Sequence, residues 1–133
     1  MLSLADASIR CVFNSAAPSV GDKSVMIGGT IVTGPDNARV VFRAIGPSLA
    51  GVGIPNALTD PQLDLFDGNG TKFISNNNWK DSQQAAITNT GLSPSNDLES
   101  AIVVDLAPGN YTAVVSGVNG ATGVALVEAY HLQ

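Results

Sequence analysis

Oxygen-bearing side chains crowd the stretch between residues 64 and 81, and their chemistry is that of ligands for a hard cation. Calcium binds carboxylates, amide carbonyls and backbone carbonyls. The segment Asp-Gly-Asn-Gly at residues 67–70 lacks the distal glutamate of an EF-hand loop. The competing interpretation is that these polar side chains form turns and cap a helix. Calcium is the one cofactor hypothesis, and its predicted ligands are Asp64, Asp67, Asn69, Asn76 and Asp81.

The only tryptophan, Trp79, follows three consecutive asparagines at residues 76–78. An exposed aromatic ring beside polar amides is one way in which a β-sandwich binds sugars, which makes Trp79 and Asn78 the candidate ligand-binding residues. The alternative is that a lone tryptophan near the start of a helix fills the core. The low aromatic content, 5% of the chain, favours the core.

Residues with catalytic chemistry are few. The only histidine, His131, is third from the C-terminus, and a serine triad would need it beside a nucleophile and a carboxylate. No Gly-x-Ser-x-Gly segment is present. The acidic residues fall mostly in predicted turns, where aspartate serves the backbone. The sequence therefore predicts a protein that is not an enzyme.

Charge and composition exclude several classes of partner. The net charge is −5 with six Lys plus Arg, so the chain has no basic stripe for the phosphates of a nucleic acid. No apolar run approaches the length of about 20 residues that a membrane span needs. A hydrophobic content of 44% is that of a folded chain. Cys11 is the only cysteine and cannot form an internal disulfide, so we expect a buried, inert thiol, with intermolecular pairing or a reactive thiol as the alternative.

Alternating apolar segments separated by Gly, Pro and Asn predict about eight β-strands. Residues 7–14 form the first. Residues 24–33 form the second, with Val25, Ile27 and Ile31 on one face and a glycine pair that suggests a bulge or a close backbone approach.

Arg43 occupies an unusual position in the third predicted strand, at residues 38–45. It shares a face with Val41 and Ile45, and an isolated buried charge is costly. Glu128, in the last predicted strand, is the candidate partner for a structural ion pair. The alternative is that Arg43 lies at a sheet rim and extends its charged end into water.

A Gly/Pro-rich segment at residues 46–61 follows this strand. Its glycine spacing matches neither a dinucleotide fingerprint nor a P-loop, so we expect a crossover between sheets. The next segment predicts a hairpin with Leu63 and Leu65 inward and a tight turn at residues 67–70.

A short helix is predicted near residues 81–90. Asp81 with Gln84 resembles a capping box, and Gly91 is placed to end the helix. A further strand is predicted at residues 98–106. Together the pattern predicts a single all-β domain over residues 1–133, an antiparallel β-sandwich of jelly-roll or immunoglobulin-like type. Residues 1–22 form a peripheral or exchangeable N-terminal strand in this prediction.

Several segments resemble a repeat found near the ends of large secreted bacterial proteins. The matching segments are RAIGPSL at 43–49, DPQLDLFDGNGTKFISNNNW at 60–79 and APGNYTAVVSGVNGATGVALVEAY at 107–130. The chain is similar, more distantly, to pre-peptidase C-terminal domains, the β-sandwich accessory modules of secreted enzymes. The resemblance implies a secreted, non-catalytic module, often in tandem, and implies no ligand. The family commonly has acidic residues where this chain has Asn77 and Asn78, which weakens the calcium hypothesis.

These observations favour a non-catalytic extracellular module with a structural, adhesive or self-assembly role. Its expected partners are copies of the same domain or neighbouring domains of a larger protein. The alternative is an accessory domain that binds a carbohydrate or a cell-surface protein. The first ten residues lack the charged and apolar regions of a signal peptide. We expect a mature form or an excised fragment of a secreted or cell-surface protein, and the alternative is a protein that stays inside the cell.

Overall fold

The computed structural model describes residues 25–132 in full and, before them, the backbone of two strands at residues 2–3 and 9–14. These residues form nine strands, two short α-helices and one 3-10 turn at Val118–Gly120. In chain order the elements are β1 (Leu2–Ser3), β2 (Ile9–Asn14), β3 (Val25–Val32), β4 (Ala38–Ile45), α1 (Pro47–Ala50), β5 (Pro61–Phe66), β6 (Lys72–Asn76), α2 (Gln84–Thr90), β7 (Ser100–Leu106), β8 (Gly109–Gly117) and β9 (Val124–Leu132).

The strands form two sheets that pack face to face. One has the order β1-β3-β8-β5-β6 and the other the order β2-β9-β4-β7. Neighbouring strands run antiparallel except β1 and β3, which are parallel. The predicted antiparallel β-sandwich is therefore confirmed, with a short parallel strand added at one edge.

The N-terminal segment contributes one strand to each sheet. The first predicted strand appears as β2, whose register with β9 runs from Ile9 opposite Ala129 to Asn14 opposite Val124. The side chain of Cys11 and residues 15–24 lie outside the described part of the chain. The buried thiol, the exchange of residues 1–22 and the single domain over residues 1–133 therefore stay predictions.

The main core lies between the sheets. Leu63 and Leu65 of β5 are buried, as predicted, and pack in one cluster with Phe42 of β4. Gly28 of β3 faces this core, and a Cβ atom there would lie 3.3 Å from Cγ1 of Val127 in the opposite sheet. A glycine at this position lets the two sheets approach each other closely.

A second, smaller core covers the outer face of the β2-β9-β4-β7 sheet. The chain between β6 and β7 passes over this face and carries α2. Its buried side chains pack on those of β4 and β7, and the cluster is Val41, Trp79, Ile87, Ala101 and Val103. One sheet of the sandwich is thus apolar on both faces.

The predicted capping box at the start of α2 is wrong. The N-cap residue is Gln83, which makes no side-chain capping bond, and Asp81 is exposed in the turn before it. The Gln83 amide instead donates to the carbonyl of Val103 at 2.9 Å and accepts the Val103 N–H at 3.0 Å. The hydrogen bonds of the Gln83 side chain with β7 therefore replace the predicted local capping. The helix ends as predicted at Gly91, whose φ is 75°.

The predicted strand at residues 98–106 begins two residues later, at Ser100. The N–H of Glu99 donates to the carbonyl of Asn96 at 3.1 Å, so the chain is still turning at this point. Leu98 consequently lies outside the strand and is 44% exposed.

Strand β3 is apolar on both faces, so its alternation alone does not tell which face is buried. Met26 and Val32 face the core, and each is 3% exposed. The face that carries Val25, Ile27 and Ile31 is the outer one.

Candidate functional site

The Asp-Gly-Asn-Gly segment forms the hairpin turn between β5 and β6. Oδ1 of Asp67 accepts the backbone N–H of Asn69 at 2.9 Å and that of Thr71 at 3.0 Å. Gly70 has a φ of 81°, which a glycine adopts without strain. The Asp67 carboxylate therefore holds the turn.

The five predicted calcium ligands do not gather at one point. Asn76 pairs with Leu63 at the end of the hairpin opposite the turn, about 13 Å from Asp67 by the rise per residue of a strand. The Asn76 amide donates to the carbonyl of Asn78 at 2.9 Å and accepts the N–H of Ala101 at 3.1 Å. Among the described residues, no three His, Cys, Asp or Glu side chains converge in a way that could hold a metal ion.

Trp79 lies in the second core and is 7% exposed. Its backbone N–H donates to the carbonyl of Glu99 at 2.9 Å, and Nζ of Lys80 lies 5.4 Å from the ring centroid. A ring in this position does not present a free face to a sugar, so its contribution here is to packing. The neighbouring Asn78 is only partly exposed, and its backbone carbonyl accepts the Asn76 amide.

Three side-chain oxygens near the start of β5 and the end of β6 are buried without a hydrogen-bond partner. They are Oδ1 of Asp60, Asn77 and Asn78. The hydroxyl of Ser100 connects the two segments, because its Oγ lies 2.6 Å from the carbonyl oxygens of both Pro61 and Asn77. The sequence prediction did not include Asp60, because an Asp-Pro pair is an ordinary turn signal.

Burial raises the pKa of the Asp60 carboxyl above its ordinary value. An acid whose pKa is raised on folding binds its proton more tightly in the folded state. The folded protein therefore loses stability as pH rises from the ordinary aspartate pKa to the higher folded value, and the cost persists above that interval.

We expect Asp60→Asn to raise the thermal midpoint at pH 7 by about 1–3 °C, because it removes this cost. The gain should shrink toward zero near pH 3, below the ordinary pKa of aspartate of about 3.9. Differential scanning calorimetry across this pH range measures both. Asp81→Asn, at an exposed position, is the control and should show no gain that depends on pH in this way. A gain that persisted undiminished at pH 3 would contradict the prediction.

Arg43 and Glu128 lie next to each other on adjacent strands β4 and β9, where they are paired in register. Glu128 is 2% exposed. Its Oε1 accepts Nε–H of Arg43 at 3.1 Å and Nη2–H at 2.5 Å, while its Oε2 accepts the hydroxyl of Tyr130 at 2.6 Å. Arg43 Nη1 also donates to the carbonyl of Leu92 at 3.1 Å. The guanidinium thus joins the sheet to the segment that covers it.

Glu99 is a second fully buried carboxylate, and it precedes β7. Its Oε2 accepts the backbone N–H groups of Gly46 and Ser48, both at 2.9 Å. Its Oε1 accepts the Ser48 hydroxyl at 2.7 Å and the N–H of Asn96 at 3.2 Å. One carboxylate therefore fixes the start of the crossover to the loop before β7. The sequence carried no signal for this, because the donors come from residues far apart in the chain.

A largely apolar groove of about 550 Å³ lies beside this attachment, between the crossover and Leu98. Pro47 and Leu98 line it and are the chain neighbours of Ser48 and Glu99, so the Glu99 bonds hold its two walls together. Asn56 and Thr59 supply the polar part of the lining. The remaining lining residues are Ala50, Ile54, Pro55 and Ala57.

His131 lies in β9, where its Cα is opposite that of Val40. No helix among the described residues has the length and apolar character to cross a membrane.

No protein-family model matches this chain, and no curated protein sequence matches it. Among solved structures, the chain is similar to the pre-peptidase C-terminal domain of a collagenase from Bacillus anthracis, with 10% identity and a TM-score of 0.48 over 98% of this chain and 91% of that one. It is also similar to part of dimeric latent PorU from Porphyromonas gingivalis, with 13% identity and a TM-score of 0.35 over 97% of this chain and 13% of that one. The sandwich fold itself follows from the strand pairing, and membership of the secreted repeat family stays a prediction.

Proposed function

We propose that this chain is a non-catalytic extracellular β-sandwich module with a structural role, and that it associates with copies of itself or with neighbouring domains. The observation that carries the proposal is a difference between the outer faces of the two sheets. The outer face of one sheet is covered by α2 and its flanking segments. The outer face of the other carries Val25 and Ile27, which are 45% and 54% exposed. Exposed apolar side chains grouped on one face are typical of a contact surface.

The use of the buried carboxylates supports the non-catalytic part of the proposal. Glu99 binds backbone and hydroxyl donors from two loops, and Glu128 binds Arg43 and Tyr130. Both groups connect segments of the chain, and neither faces the groove of the crossover. These contacts hold segments of the chain together, which is a structural role.

Self-association should appear as a mass that depends on protein concentration. Sedimentation equilibrium over about 1 µM to about 1 mM covers the range in which weak complexes form. We expect the average mass to rise from 13.5 kDa toward a multiple of it. The association should persist at high salt, because the proposed surface is apolar. A mass of 13.5 kDa at every concentration would overturn the self-association role.

The alternative function, an accessory ligand-binding domain, draws its support from the groove between the crossover and Leu98. Ligand sites are commonly concave and apolar with a few polar groups, and the lining of this groove has that composition. A chain that stays monomeric throughout the sedimentation series would favour this alternative. Calcium stabilisation of this accessory domain stays a prediction, although no three His, Cys, Asp or Glu side chains of the described residues could hold a metal ion.

A further inference from the structure

Two edge strands of the sandwich are protected against pairing with another chain. Strand β6 has five residues, carries Lys72 and shifts register against β5 between Leu65 and Phe66. Short length, lysine and bulges are features that prevent edge-to-edge pairing. Strand β7 is protected by Gln83, whose side-chain amide occupies the N–H and carbonyl of Val103.

Among the described residues, nothing protects strand β3 in this way over its first five residues. On the side away from β8, the described residues place only β1 beside it, and β1 pairs only with Thr30 and Ile31. Residues 25–29, Val-Met-Ile-Gly-Gly, contain no charge and no proline. Val25 and Ile27 project from this stretch and are among the most exposed large apolar side chains of the described residues. An edge without charge or proline invites a further strand.

We propose that the occupant of this edge is β3 of a second copy, paired antiparallel about a two-fold axis at Ile27. This inference rests on the proposed self-association and names the surface that performs it. A two-fold axis normal to a sheet makes the same edge of two copies antiparallel, so each strand supplies the hydrogen-bonding pattern that the other needs. Such a contact is closed and joins two copies only.

The register follows from the length of the open stretch. Pairing of residues 25–29 with themselves in antiparallel orientation is centred on residue 27. Ile27 then lies opposite Ile27 of the second copy, and Val25 lies opposite Gly29. The isoleucine pair covers apolar surface that each copy alone exposes to water, and Gly29 leaves space for Val25.

The contact is small, which sets the affinity that we expect. Five paired residues extend about 17 Å along the strand. A contact of this length buries much less surface than a standard protein–protein interface, which buries about 1,600 Å² in total. We therefore expect a dissociation constant in the micromolar range or weaker, little affected by salt.

Cysteine cross-linking tests both the edge and the register. In a background with Cys11→Ser, Ile27→Cys places two thiols directly opposite each other, on Cα atoms about 4.5–5.5 Å apart. A disulfide needs Cα atoms about 4.4–6.8 Å apart. Val25→Cys is the matched variant, because the proposed register separates its two thiols by four residues along the strand, about 13 Å. Under mild oxidation we expect a covalent dimer from Ile27→Cys and none from Val25→Cys.

A second pair of variants measures association without a cross-link. Ile27→Lys places two like charges opposite each other and should weaken the self-association at least tenfold. Val52→Lys, at a 74% exposed position in the crossover, should leave it unchanged. Circular dichroism and the thermal midpoint establish that both variants are folded.

The outcomes separate this inference from the function on which it rests. If the unmodified chain stays monomeric, the β3 edge and the proposed self-association are both overturned. If it associates while Ile27→Cys fails to cross-link, or cross-links no better than Val25→Cys, the β3 edge is overturned and the proposed function stands. An equal loss of association in Ile27→Lys and Val52→Lys would also overturn the β3 edge.

Discussion

Replacement of the buried Glu99 by alanine is expected to destabilise the fold by about 3–5 kcal/mol. The carboxylate accepts hydrogen bonds from Gly46, Ser48 and Asn96, at distances between 2.7 and 3.2 Å. Alanine leaves the buried N–H of Gly46 and the part-buried N–H groups of Ser48 and Asn96 without this acceptor, and an unsatisfied buried donor costs about 1–3 kcal/mol. The loss is a large part of the 5–15 kcal/mol that stabilises a typical domain. Urea unfolding followed by Trp79 fluorescence measures it.

Two further variants give this experiment its controls. Glu99→Gln keeps the shape of the side chain and one acceptor oxygen, so it should lower the free energy of unfolding less than the alanine variant does. Asp97→Ala removes a carboxylate two residues away that is 73% exposed and lies 2.9 Å from Lys80. Exposed pairs of this kind contribute about 0–1 kcal/mol. A decrease of less than about 1 kcal/mol in the free energy of unfolding of Glu99→Ala would mean that the carboxylate does not hold the crossover in place.

The second large effect is expected for Arg43→Met, which should lower the free energy of unfolding by about 3 kcal/mol. The guanidinium donates to Glu128, to the carbonyl of Leu92 and to the hydroxyl of Tyr130. Methionine fills similar space but supplies no donor and no charge beside the buried carboxylate. Arg43→Lys should recover only part of the loss, because an ammonium group cannot reproduce the planar geometry of these contacts.

The same strand supplies the matched control. Arg39 lies four residues earlier, on the same face of β4. Its Nη1 is 3.3 Å from Oδ1 of Asp105. Both of these side chains are more than half exposed, so Arg39→Met should change the stability by at most about 1 kcal/mol. A double-mutant cycle with Arg43→Met and Glu128→Gln isolates the pair itself. A coupling energy near zero would contradict a structural ion pair.

Local patterns predicted the elements whose determinants lie close together in the chain. The hairpin around residues 67–70 follows from glycine and asparagine at its turn, and Leu63 and Leu65 follow from strict alternation in β5. Gly91 ends α2 because a left-handed residue is needed there. In each case the physical cause acts over a few residues, which a pattern in the sequence can represent.

Other features depended on contacts between distant segments. Both faces of β3 are apolar, and which of them is buried was decided by the position of β3 in the sheet. Asp81 was predicted to cap α2, whereas the Gln83 amide binds the edge of β7 and sets the start of the helix. The five oxygen-bearing side chains proposed for calcium are close in sequence, but the hairpin holds Asp67 and Asn76 at opposite ends.

The sequence by itself determined the class of the fold and the net charge of −5, because turn residues, alternation and charge are properties of the chain. It also singled out Arg43 and Glu128, since a charge on an apolar strand face needs a partner. Only the tertiary structure decided that Trp79 packs on the outer face of the β2-β9-β4-β7 sheet, and that Glu99 holds the crossover in place. The physical reason is that burial and hydrogen bonding of these side chains depend on segments that meet only after the sheets have packed.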